Sequence, residues 1–572
     1  MFLAAFLVGL YRVRLGIDLQ DEGMYLSAPL RYALGDVPFR DEFLNPHRMF
    51  DIVLWPLFHF FADVTVLQLR LLWLGFQTVA ALALYRLFRR FAPDELSALA
   101  CVSPLYHANL IWTPGYHVMG TFGFVLAYSL WLGGCLSSRL RGQLGLGLAS
   151  GLVFFAAALS YLPLLALGAV PGLVLITQLR SWPRIGGRGI ATAAHLGTLL
   201  LLGCTTLWVF AQYSLFGDWW VAQERVLATL QYRTSVWEKT QAFVVGIAPS
   251  LPLVVLAGTL TFGLIRYARA RGEFKSLRAS AAGTILPALI VPAILLPLIH
   301  WRYAVGASQT PFMPHDNSLV VLAIALGLHL GALFLVRTRA PDDPANRDWW
   351  FSYFAMTAGA LLLALLHGYL SQMVFKASFA MLPLFVPGVV LLYRALAKAS
   401  AEPLPFVLAG AVCLAVGFGS YTVRSDHIYG DARTHLLTEA FTQPRLVGIR
   451  STPTRVAQLD GIADYLSVRV ERGERLLVVG QAPLVYFLTQ TRPALDHSWT
   501  APTISAQSRR LSLQKMISAQ LVPRYLVRVR NFDRSRLGEK VVERLYPLHA
   551  FAAKRYSFEV DFGPMEIWRR RD

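Results

Sequence analysis

The chain has 572 residues, of which 55% are hydrophobic and only 15% are charged. Soluble domains carry roughly a quarter charged residues, so a water-soluble enzyme is excluded, and so is a disordered or fibrous chain. The net charge of +19 would suit nucleic acid, but many arginines fall in short runs between long apolar stretches, which is a membrane-topology pattern.

A bilayer core takes about 20 apolar residues per helix. Spans are predicted near 1–17, 66–88, 95–111, 118–137, 143–160, 162–178, 190–211, 241–265, 282–300, 318–336, 349–367, 378–394 and 404–422, about thirteen in all. Every second connector is strongly basic. These are Arg86/Arg89/Arg90, Arg139/Arg141, Arg180/Arg184/Arg188, 266–278, Arg337/Arg339/Arg347 and Arg394/Lys398, and they read as cytoplasmic. The alternate connectors, 18–65, 112–117, 212–240, 301–317 and 368–377, and the tail from 423 then face the other side. The first span is short, with Arg12 and Arg14 near its outer end, where they can snorkel to headgroups. It has no basic start and no cleavage site before Asp18, so it does not read as a cleaved signal peptide. Cys101, Cys135, Cys204 and Cys413 lie in apolar segments without metal or disulfide spacing, which predicts small-residue packing. Gly145, Gly147 and Gly151 lie inside a span and predict close helix packing, not a dinucleotide loop.

The tail changes character near Tyr421, where charge rises and the long apolar runs stop. Residues 476–480 (LLVVG) read as a buried strand preceded by a helix over 455–470. A helix over 505–520 and a strand over 525–529 follow, and 556–562 can pair with 565–568 across Gly563-Pro564. This predicts a small α/β domain at 423–572 behind a membrane domain at 1–422.

The stretch 18–51 is acid-rich in an acid-poor chain, with Asp18, Asp21, Glu22, Asp36, Asp41, Glu42 and Asp51. Leu26, Leu30 and Ala33 share a helical face, so 22–35 predicts a short in-plane helix that ends at Gly35-Asp36. A second in-plane helix is predicted over 49–61. Asp21-Glu22 sits where the first span leaves the membrane. A carboxylate there can take a proton from an acceptor hydroxyl, or it can simply open the helix as an N-cap.

The pattern Asp21-Glu22-Gly-Met-Tyr-Leu, then 31–43, then Asn45-Pro-His-Arg48 resembles the first outer loop of the C superfamily of membrane glycosyltransferases (GT-C). The similar branch holds protein O-mannosyltransferases and the aminoarabinose-to-lipid-A transferase. The tail segment 476–488 is also similar to tails of bacterial members. The resemblance implies a GT-C fold and a polyprenyl-phosphate sugar donor. It further implies Asp21 as the base with Glu22 beside it, and a glycan, lipid or protein acceptor on the periplasmic side of the inner membrane. Relatives often carry Lys-Pro-Pro or His-Pro-Pro in this loop, where this chain has Pro46-His47-Arg48. Many carry an acid in the second outer loop. Residues 112–117 hold none, so either Tyr116 and His117 do that polar work, beside Asp41 and Glu42, or the acceptor chemistry differs.

A departing polyprenyl phosphate needs cations at the interface, and His47, Arg48, Arg302 and Lys376 are the candidates. Lys376 is alone in an apolar stretch between two spans, which marks either function or snorkelling. No cofactor is predicted; His47 with Asp41 or Glu42 is the alternative, a divalent-metal set, which no spaced second histidine supports. Trp219, Trp220, Trp237, Tyr213 and Tyr232 read as an interfacial belt or as sugar platforms. Pro341-Asp-Asp-Pro344 reads as a polar turn. The rival readings are a polyprenyl-linked glycan flippase, an O-antigen polymerase or ligase, and a non-catalytic assembly protein.

Overall fold

A computed structural model describes residues 1–105, 112–180, 187–227, 235–248, 251–273, 291–295, 315–333, 344–370, 377, 379–399, 403–426, 428, 430–500, 504–530 and 546–571. Arg302, Lys376, Tyr232, residues 341–343 and most of the predicted span 282–300 lie outside the described residues.

The helices of the first half are α1 (Phe2–Arg12), α2 (Asp21–Ala33), α3 (Phe50–Phe60), α4 (Val66–Phe88), α5 (Asp94–Val102), α6 (Tyr116–Cys135), α7 (Leu140–Ser160) and α8 (Ala169–Arg180). Next come α9 (Gly187–Gln212), α10 (Leu215–Leu227), α11 (Val236–Ile247), α12 (Leu251–Glu273), α13 (His315–Leu333), α14 (Pro344–Leu370), α15 (Met381–Ala399) and α16 (Leu404–Asp426). Among the described residues seven stretches are long and apolar enough to cross a membrane: Val66–Phe88, Tyr116–Cys135, Leu140–Ser160, Gly187–Gln212, Asn346–Leu370, Met381–Lys398 and Leu404–Tyr421. Shorter apolar helices accompany them, and the chain is a multi-pass membrane protein.

Most predicted spans recur as helices. Several differ in a physically simple way, and in the predicted span 95–111 the helix α5 ends at Val102. The apolar run 241–265 is divided between α11 and α12, and Pro252 occupies the first turn of α12, where its missing N–H costs nothing. The run 162–178 begins as a tight 3₁₀ turn over Leu162–Gly168 with Pro163 in its first turn. At 11 residues, α1 rises only about half of a bilayer core.

Helix α6 is the most enclosed span. Phe122, Phe124, Tyr128 and Trp131 along it are fully buried. Helices α7 and α9 pack closely because a Cβ at Gly147 would lie 2.5 Å from the Ala191 carbonyl, and one at Gly151 would lie 2.6 Å from Thr198. Cys101, Cys135 and Cys413 are buried as expected. Cys204, on α9, is exposed.

The tail contains α17 (Pro453–Ser467), α18 (Leu484–Thr489), α19 (Ala506–Ser518) and α20 (Tyr546–Arg555). Its strands are β1 (Glu439–Ala440), β2 (Arg450–Ser451), β3 (Arg475–Val479), β4 (Arg492–Pro493), β5 (Tyr525–Val529), β6 (Tyr556–Phe562) and β7 (Met565–Arg570). The main sheet runs β4-β3-β5-β7-β6, with β3 parallel to β4 and β5, and with β7 antiparallel to both β5 and β6. The tail is therefore α/β, and the pairing across Gly563-Pro564 forms as read.

Strand β3 explains how the tail meets the helices. Its side chains alternate between two apolar layers. Leu477 and Val479 face α19 and α20, with Met516, Leu548 and Ala552. Leu476 and Val478 share a core with Leu26 and Leu30 of α2, Phe58 of α3, and Val66 and Leu69 of α4. The tail thus packs directly on the acid-rich connector. Gly23 of α2 makes this approach possible, since a Cβ there would lie 2.4 Å from the Leu484 backbone nitrogen. Gly35, at φ +101°, ends α2 in a conformation that favours glycine.

Candidate active site

The start of α2 sets the geometry. The Asp18 carboxylate accepts from the backbone N–H groups of Gln20 (3.2 Å), Asp21 (2.6 Å) and Glu22 (3.0 Å). It closes the free donors that open the helix, and Glu22 answers by accepting from the Asp18 N–H at 3.2 Å. With Asp18 capping the helix, Asp21 is left half-exposed on its first turn.

Glu22 is 1% exposed and clamped. Arg70 of α4 holds it with two hydrogen bonds, Nε to Oε1 at 2.8 Å and Nη2 to Oε2 at 2.6 Å. The same guanidinium donates to the carbonyls of Val13 (2.8 Å) and Gly16 (2.9 Å). The Thr113 hydroxyl donates to Glu22 as well. Glu22 therefore joins the end of α1, α2, α4 and the connector before α6.

Around Asp21 the structure gathers cationic and aromatic groups. Residues 45–49 are strapped to the end of α7, where the Met49 N–H donates to the Leu159 carbonyl (3.0 Å) and the Leu162 N–H to that of His47 (3.2 Å). This holds the Arg48 guanidinium 4.5 Å over the ring of Tyr116. Tyr25 meets Tyr116 edge-on at 5.9 Å, and Asp21 and Arg48 are both close enough to act electrostatically on the Tyr25 and Tyr116 hydroxyls. His47 is half-buried, and burial together with Arg48 pushes its imidazole well below its ordinary range, so it stays neutral.

Beyond Tyr116 lies a histidine pair. His117 Nδ1 is 2.9 Å from His367 Nδ1 of α14. His367 stacks on Tyr161 at 5.2 Å and 5°, and Phe379 stacks on His117 at 5.5 Å. Asp21, Glu22, His47, Arg48, Tyr116 and His117 are candidates from the sequence that meet here, whereas Tyr25, Arg70, Thr113, His367 and Tyr161 are assigned no role by the sequence pattern.

Asp41 and Glu42 belong to a different network, turned toward the tail. Asp36, fully buried, meets Arg31 (2.8 Å), Arg475 (2.8 Å) and Arg492 (3.4 Å). Asp41 accepts from the Val37 N–H, and Glu42 from those of Leu44 and Asn45. Asp51 accepts from Tyr32 and Asn45 at 3.2 Å each. Helix α10 lies over this connector. Its Trp219 donates to the Pro46 carbonyl, while Trp220, like Tyr213 and Trp237, is exposed. Arg225 pairs with Asp496 at 2.6 Å and lies 3.9 Å over Phe43. Among the described residues, no three His, Cys, Asp or Glu side chains come together as a metal set.

Burial holds three connector carboxyls high. Glu42 is pushed up to about 8, Asp51 to about 7, and Asp18, with the added charge of Asp21, to about 7. Each keeps its proton to a higher pH than in the unfolded chain. From about pH 4 to 8 the folded state then binds the extra protons, so their contribution to stability falls as pH rises through that window. His47 and His497, held neutral by burial, oppose this only below about pH 6.5, where the unfolded imidazoles charge. Residues 18–51 are expected to exchange amide hydrogens faster at about pH 9 than at about pH 6 after correction for intrinsic rates, and Asp51→Asn should reduce the difference. Equal protection at the two pH values would contradict this.

No protein-family model matches the chain, and no curated protein matches its sequence. Solved structures do. An oligosaccharyltransferase from Archaeoglobus fulgidus, crystallised with Zn and sulfate, aligns over 100% of this chain and 73% of its own at 11% identity and a TM-score of 0.50. The chain has the GT-C fold. ArnT from Cupriavidus metallidurans, crystallised with undecaprenyl phosphate, aligns over 99% of this chain and 97% of its own at 14% identity and a TM-score of 0.40. Its apo form gives 12% and 0.42.

Proposed function

We propose that this chain is a membrane glycosyltransferase that moves a sugar from a polyprenyl-phosphate donor to an acceptor hydroxyl on the periplasmic side of the inner membrane. One observation carries the reading: a half-exposed carboxylate, Asp21, and a guanidinium, Arg48, both act on Tyr25 and Tyr116, where the apolar span Tyr116–Cys135 begins. The GT-C fold is consistent with it.

In this reading the acceptor oxygen attacks the anomeric carbon as the carbon–oxygen bond to phosphate breaks. Asp21 takes the acceptor proton, and the phosphate leaves with the bonding electron pair. Attack opposite the leaving group inverts the anomeric centre. Arg48, with a neutral His47 donating N–H, holds the phosphate. Arg302 and Lys376 are assigned to it by their place in the sequence. Glu22 fixes the start of α2, Tyr116 and His117 line the bound donor, and Asp41 and Glu42 shape the connector toward the acceptor. The membrane domain is 1–422 and the periplasmic domain 423–572, and no cofactor is required.

The test uses proteoliposomes loaded with undecaprenyl-phosphate hexose or aminopentose, with a cell-envelope lipid and glycan extract as acceptor. The expected result is undecaprenyl phosphate formed together with a glycosylated product of inverted anomeric configuration. Movement of intact donor across the bilayer without cleavage would instead make the chain a transporter.

A further inference from the structure

The bond that breaks in such a transfer changes the charge on phosphate. The donor is a phosphodiester with one negative charge. The product is a phosphomonoester, whose second ionisation lies near pH 6, so it is born with a second charge. A fixed guanidinium attracts both states. A group able to take up positive charge as the bond breaks favours the transition state over the bound donor.

We propose that His117 and His367 form a proton-sharing imidazole pair that answers the charge developing on the departing phosphate, with His367 as the positioning residue that acts through His117. This rests on the glycosyltransferase reading and assigns a role to a residue outside the Asp21–Arg48 site. Two bare Nδ1 lone pairs would repel at 2.9 Å, so one of these atoms carries a hydrogen. One further proton makes a singly charged pair that shares the hydrogen between the two Nδ1 atoms and turns both Nε2 atoms into donors. A second proton would set two cations against each other.

The surroundings suit that use. His117 is 5% exposed and His367 is fully buried, so a charge there is poorly screened by water. Tyr161 stacks on His367, and Thr121 lies 3.4 Å from its Nε2, which fixes the ring. The Tyr116 ring, which carries Arg48, is centred 3.9 Å from that of His117. The pair is therefore one aromatic ring away from the cation assigned to phosphate.

Purified His367→Gln and His367→Phe variants test this in detergent and in proteoliposomes. Glutamine keeps hydrogen bonding but cannot share the added proton. Each variant is assayed for kcat and KM with undecaprenyl-phosphate sugar, and for binding of undecaprenyl phosphate against that donor. His367→Gln is expected to lose about 10- to 100-fold in kcat with KM within about threefold, on the scale of losing one electrostatic contributor. It should also lose the wild-type preference for undecaprenyl phosphate over donor. Near-normal kcat in His367→Gln with a defect only in His367→Phe would assign His367 to neutral hydrogen bonding without proton sharing and overturn the proposal. A rise in KM alone would do the same. If His367→Phe does not fold, His367→Gln decides by itself. The pair fails alone if Asp21→Asn is inactive while His367→Gln is normal. The underlying reading fails if the wild-type protein neither consumes donor nor binds undecaprenyl phosphate.

Discussion

Asp21→Asn is expected to slow sugar transfer at least about 100-fold, the lower range for removal of a general base. Asparagine has nearly the same shape but cannot accept the acceptor's proton. The substitution leaves the cap of α2 in place, because Asp18 accepts from the backbone N–H of Asp21. What the helix loses is one anion in its first turn, about 0.3–1 kcal/mol at most exposed sites. Folding should therefore change little while turnover collapses. Binding of undecaprenyl phosphate should hold or tighten, since a negative charge leaves the neighbourhood of Arg48. Rates and product binding measured on the same purified variant separate these effects. Wild-type transfer by Asp21→Asn would remove Asp21 from the reaction. A matching loss of turnover and of folded protein would make it a structural residue.

Much of the architecture was legible because the signals are local. Val66–Phe88 reads from apolar length alone, and Tyr525–Val529 from an apolar run between turns. Helix α2 reads from its 3.6-residue periodicity and the glycine that stops it. What was not legible depends on partners far apart in the chain. Three acids at 18, 21 and 22 could each open α2, and only the fold assigns the cap to Asp18 and the ion pair to Glu22. Arg70 and Glu22 are 48 residues apart. A signal did exist, because Arg70 is an isolated charge in an otherwise apolar stretch of α4, and such residues seldom lack a role. His367, near the end of an apolar span, carried the same signal. Pro252 likewise marked the start of α12 inside a run that apolarity alone presents as continuous. The aromatic loop 212–240 was ambiguous by nature: Trp219 binds the Pro46 carbonyl while its neighbour Trp220 is exposed.

Arg70→Met is expected to be the most damaging single change to folding. Both partners of the pair are almost wholly buried, with side chains 3% and 1% exposed. Removing one partner of a buried pair leaves the other as an uncompensated charge, at a cost of about 3–5 kcal/mol. Here the loss is compounded, because the carbonyls of Val13 and Gly16 lose their donor at the same time. Arg70→Lys keeps the charge but offers no planar fork, so it cannot hold both Glu22 oxygens and two carbonyls together, and it should fall between wild type and Arg70→Met. Arg70→Met combined with Glu22→Gln removes the stranded charge and should recover part of the stability, which a double-mutant cycle reads as coupling between the two sites. Because the pair holds the first turn of α2, the folded fraction of Arg70→Met should also transfer sugar more slowly than its amount predicts. Thermal unfolding in detergent with parallel turnover measurements checks both statements. If Arg70→Met melts at the wild-type temperature, Glu22 is held by its other contacts, and the clamp is not what positions Asp21.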